Sequence, residues 1–85
     1  MQFNSLTNFQ KEILYKAYEA YKVNPMSVPR YALLSEGVKL DLGEDDGRHR
    51  EYNELLNEFI YHHPVGNTVY YWLNDAGVSM MNQTL

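Results

Sequence analysis

Residues Tyr61 to Met81 constrain the fold most tightly. Two aromatic, strand-like runs flank Pro64-Val65-Gly66-Asn67, and Asn74-Asp75-Ala76-Gly77-Val78 follows at once. Thr68 to Leu73 is β-branched and aromatic, which suits a pleated, half-buried surface, and Gly66-Asn67 can supply the positive φ angles of a tight hairpin. Asn74 is placed to cap a terminal turn of helix that carries Val78, Met80 and Met81. A helix-like segment, Arg48 to Phe59, lies directly upstream, so the predicted order is helix, hairpin, helix.

The first part of the chain reads as helical. Leu6, Phe9, Ile13, Leu14, Ala17, Ala20 and Tyr21 recur at helical spacing, while Gln10, Lys11, Glu12, Lys16, Glu19 and Lys22 fall on the other side. Thr7-Asn8-Phe9-Gln10 fits a capping box, and Asn24-Pro25 stops the helix, because the residue before a proline is pushed out of the α region. The expected span is about residues 7 to 22. A second, two-turn helix is expected from Ser27 or Val28, with Pro29 in its first turn, Tyr31, Leu33 and Leu34 inward, and Gly37 as its left-handed cap.

Val38, Leu40 and Leu42 then alternate with Lys39 and Asp41, a period of two that suggests a brief strand or extended segment. Whether it pairs with the hairpin as a third strand is open at this level. Gly43-Glu44-Asp45-Asp46-Gly47 is an acidic turn. In the helix after it, Tyr52, Leu55, Leu56, Phe59 and Ile60 share one face, and Arg50, Asn53, Glu54 and Asn57 turn toward the other. Asp45 or Asp46 can cap this helix at the positive end of its dipole. Arg48 and Arg50 stand in the same first turn, where a cation is mildly disfavoured, so their placement needs a reason.

The chain has 85 residues, enough for one domain that buries roughly 60 to 65% of its unfolded surface. It has no cysteine, hence no disulfide, thiolate metal site or thiol nucleophile. Met1-Gln2-Phe3-Asn4-Ser5 has neither a basic nor an apolar leader region, and no run reaches membrane-spanning length, so a soluble cytoplasmic protein with no membrane partner is expected. Seven Lys+Arg against eleven Asp+Glu give a net charge of −4. That balance opposes the electrostatic attraction that supplies most non-specific nucleic-acid affinity.

Tyr71-Trp72-Leu73-Asn74-Asp75-Ala76-Gly77 resembles the aromatic-x-Leu-Thr-x-x-Gly signature that ends the wing in bacterial winged-helix families of the MarR and PadR types, with Asn74 in the place of threonine. The resemblance implies an α+β, mainly helical fold. It would be a winged helix-turn-helix with three or four helices and a C-terminal β-hairpin wing, spanning about residues 6 to 81. It also implies that Tyr71 and Leu73 point into the core, that Gly77 permits close packing, and that Gly47 to Ile60 occupies the recognition-helix position. The chain departs from the family in its long Gly37-to-Gly47 connection, in lacking a glycine at the end of the third helix, and in a wing without Lys or Arg.

Two binding readings follow. In the first, a small DNA-binding or transcription-regulatory protein inserts the third helix into the major groove of double-stranded DNA. Arg48, His49, Arg50, Asn53 and Asn57 then contact phosphates or base edges, and Asn67 touches the backbone from the wing tip. The plainer account of those residues is a solvated face with Arg50 paired to Glu54, worth about 0.2 to 0.5 kcal/mol. In the second, an acidic protein-interaction module uses its charged surface and the outward pair Tyr70 and Trp72 to meet a protein partner or a second copy. That aromatic pair is either covered by the first helix or the termini, or exposed as a patch.

Other chemistries find no support. His62 and His63 are neighbours on a strand and point to opposite faces, so with His49 they do not make a metal site. Asp41 to Tyr52 fails as a calcium loop, since its sixth and twelfth places hold Asp46 and Tyr52. No nucleophile context or phosphate loop is present, so no enzyme and no cofactor is expected.

Overall fold

The computed structural model describes residues 2–23 and 37–84. The expected helix from Ser27 to Gly37 lies, except for Gly37 itself, outside the described residues. A single turn of 3-10 helix, Phe3–Ser5, precedes helix α1, Asn8–Val23. The capping box forms as its residue types require: the Thr7 N–H donates to Gln10 Oε1 at 3.0 Å and the Gln10 N–H to Thr7 Oγ1 at 3.1 Å. Ile13, Leu14 and Ala17 are buried along one side, as the periodicity predicts. Gln10 is the correction: assigned to the polar side, it is only 2% exposed.

The sheet has three strands, β1 (Val38–Asp41), β2 (Ile60–Val65) and β3 (Thr68–Leu73), in the order β1-β3-β2 with both pairings antiparallel. The alternating segment after Gly37 is therefore a true third strand. Val65 and Thr68 face each other across a two-residue turn in which Gly66 has φ +66°. Asn67 does not share the positive φ expected of it, and positive then negative are the signs of a type II′ turn, which matches the twist of a hairpin. Register places Val38, Leu40, Ile60, His62, Pro64, Val69, Tyr71 and Leu73 on one face and Lys39, Tyr61, His63, Tyr70 and Trp72 on the other. Helix α1 packs on the first of these, so Val69, Tyr71 and Leu73 are buried with Ile13, Leu14 and Ala17.

Helix α2 runs from Asp46 to Leu55, not to Phe59 or Ile60 as the apolar spacing suggests. Leu56 turns extended, Asn57 takes φ +67°, and the Phe59 N–H returns to the Leu55 carbonyl at 3.0 Å. Apolar residues at 55, 59 and 60 are all buried by this turn, which serves the same spacing that a longer helix would have used. Ile60 thereby becomes the first residue of β2.

Helix α3, Asp75–Thr84, is longer than the single turn expected and seats Met81 in the core. Asn74 caps it: its Oδ1 accepts from the Gly77 N–H at 2.8 Å, and its own N–H donates to the Phe59 carbonyl at 2.8 Å. Gly77 rides directly over the α2–β2 turn, where a Cβ would run into the Phe59 carbonyl oxygen and lie 3.0 Å from Leu73 Cδ2.

Gly77→Ala tests this seating because two effects compete. Alanine gains about 1 kcal/mol of helix propensity, whereas overpacking against backbone costs about 1 to 3 kcal/mol. A net loss of stability is expected in urea unfolding. A higher midpoint would show that α3 does not sit on the Phe59 carbonyl. Asn74→Ala is expected to lose about 1 to 2 kcal/mol through the cap, read the same way.

Candidate interaction surface

The acidic turn is built by its own side chains. Asp41 Oδ1 accepts from the Gly43 N–H at 3.0 Å, Gly43 has φ +62°, and Asp45 Oδ1 caps α2 by accepting from the Arg48 N–H at 3.1 Å. The pairing of β1 with β3 brings this turn beside the hairpin tip, where the Leu42 N–H donates to the Asn67 carbonyl at 3.0 Å. Carboxylates therefore stand next to the tip that a groove-binding wing would press against phosphate.

The residues expected to read DNA do not form one set. Arg48 lies with its guanidinium 4.8 Å from the Phe9 ring centroid, which supplies the reason for a cation in the first turn of α2. His49 is half-buried, with Nε2 2.9 Å from the Gly43 carbonyl oxygen, where it holds the turn. Asn57 is exposed but belongs to the α2–β2 turn: its N–H donates to the Ile60 carbonyl at 3.1 Å, and its carbonyl accepts from Asn74 Nδ2 at 3.4 Å. Arg50 and Asn53 stay exposed on α2 with no side-chain partner among the described residues. The i,i+4 partner considered for Arg50 is engaged elsewhere, since Glu54 Oε2 accepts from Gln10 Nε2 at 3.0 Å.

Gln10 Nε2 also donates to the Glu51 carbonyl at 3.0 Å, so one buried carboxamide caps α1 and ties it to the last turns of α2. The sequence signal for Gln10 was the capping box, which shows the role of its oxygen and is silent on its nitrogen. Phe9, the seat of Arg48, carries no signal beyond its place in an apolar stripe.

Charge is segregated. Between Glu44 and Glu58 the chain has six carboxylates and two arginines, a difference of four that equals the whole net charge of −4, and elsewhere five acids balance five Lys+Arg. Several of the cations are folded down onto rings or acids. Lys11 lies 5.5 Å from the Phe3 ring centroid, Lys22 lies 5.2 Å from that of Tyr18, and Lys16 pairs with Glu12 at 2.9 Å, holding that carboxyl below its usual range. Glu44, Asp46 and Glu58 are exposed and unpaired among the described residues. At about 0.1 M salt the screening length is about 10 Å, so Glu44 and Asp46, two positions apart, act on a partner together, while Glu58 stands beyond the far end of the ten-residue α2.

On the outer face of the sheet, Tyr61 is 46% exposed and Val65 is 53% exposed, while Tyr70 and Trp72 are half-buried. Helix α1 does not cover this pair, being on the opposite face. The Trp72 indole instead lies against Gly37, where a Cβ would come within 2.7 Å of it, and its Nε1 is buried without a partner among the described residues. On the inner face, Tyr52 packs against His62 and edge-on to Tyr71, with ring centroids 5.7 Å and 6.3 Å away. Tyr52 is 1% exposed and its hydroxyl has no partner among the described residues; burial pushes both tyrosine hydroxyls well up. His63 points the other way from His62, and no group of metal-binding side chains comes together among the described residues.

Comparison with known families, characterised proteins and solved structures finds no match for the chain. Among the described residues no helix is long and apolar enough to cross a membrane.

His62 is exposed on β2, and partial desolvation where its ring meets Tyr52, with the nearby His63 second, lowers the imidazole below its ordinary value of 6.5. The unfolded chain then takes up the proton more readily, so this contribution is intact above about 6.5 and erodes as pH falls toward the folded value. An NMR titration should place His62 below 6.5; a value above it would contradict the packing on Tyr52. Gln10→Ala leaves the Thr7 N–H without its acceptor and removes the bridge to the Glu51 carbonyl and Glu54, and should cost about 1 to 3 kcal/mol in urea unfolding.

Proposed function

We propose that the protein acts by binding, without chemistry of its own, and that the acidic surface of α2 and the turn before it recognises a basic protein partner. The segregation of charge carries this reading. The whole net charge lies between Glu44 and Glu58, while Lys11, Lys16, Lys22 and Arg48 are folded onto rings or acids. Such a field speeds encounter with a cationic surface and repels a phosphate backbone. Under this proposal the fold is of winged-helix type: the order of α2, the β2–β3 hairpin and α3 supports it, with the wing used as scaffold for the acidic turn.

A second reading, groove binding by α2 in a transcription-regulatory protein, draws its support from Arg50 and Asn53, which are exposed on α2. It would set those two residues against the carboxylates of Glu44, Asp46 and Glu58.

Backbone NMR separates the two. A mixed-sequence DNA duplex at low salt should leave residues Arg48 to Asn57 and Val65 to Asn67 unshifted. An arginine-rich peptide should shift amides between Glu44 and Glu58, and Glu44→Lys with Glu58→Lys should suppress the response. Salt-sensitive DNA shifts at Arg50, Asn53 and Asn67 would establish groove binding instead, and no response to the peptide would remove the acidic surface as a docking site.

A further inference from the structure

We draw no further inference here: the strongest candidate, the aromatic outer face of the sheet where Tyr61, Tyr70 and Trp72 stand on adjacent strands, is an unpartnered apolar face, and nothing in the structure shows what covers it.

Discussion

Burial of the inner face of β3 beneath α1 is the contact on which the other elements depend. Val69, Tyr71 and Leu73 alternate along the central strand, so one face of it is committed to the core, and both neighbouring strands take their register from it. Each such side chain contributes about 1.5 to 3 kcal/mol on leaving water. A one-residue slip would turn all three outward. The remaining elements extend this contact: Tyr52 brings α2 against Tyr71, Leu42 and Ile60 close the two ends of the sheet, and Met81 carries α3 into the same cluster.

Two buried carboxamides make the arrangement specific. Gln10 links the start of α1 to the end of α2, and Asn74 links the start of α3 to the α2–β2 turn. Both also cap the helix they begin, so the local signal that starts a helix and the tertiary contact that positions it reside in one side chain. Gly77 completes the second junction by leaving room for the Phe59 carbonyl, which the Asn74 N–H needs as an acceptor.

What was legible from residues alone follows from the range of each interaction. The hairpin, the capping box, the Asn74 cap, a cap from Asp45 or Asp46 and the alternation of Val38 and Leu40 are all set within a few positions, and each is seen in the fold, with Asp45 as the α2 cap. Helical spacing alone places the end of α2 too late, because Leu55, Phe59 and Ile60 satisfy a helix and a tight turn equally well, and only the left-handed Asn57 separates them. At the candidate surface, exposure of Arg50 and Asn53 was legible. The fates of Arg48, His49 and Asn57 were not, since Phe9, Gly43 and Asn74 meet them only after the chain folds. Gln10 shows the same limit from inside the core.

Cations lying on aromatic rings are held in place near the body of the protein, while Glu44 and Asp46 keep their charge in solvent in the turn beside the hairpin tip and Glu58 does so at the far end of β2. The tip is tied to the acidic turn by the Leu42-to-Asn67 hydrogen bond, so the position most suited to touch phosphate stands beside carboxylates. The most direct test is the local surface potential, measured from NMR relaxation of backbone amides by a matched pair of cationic and anionic paramagnetic cosolutes. The account predicts that the cationic probe accumulates over residues 44 to 58 and at Gly66 and Asn67. Preferential accumulation of the anionic probe there would contradict it.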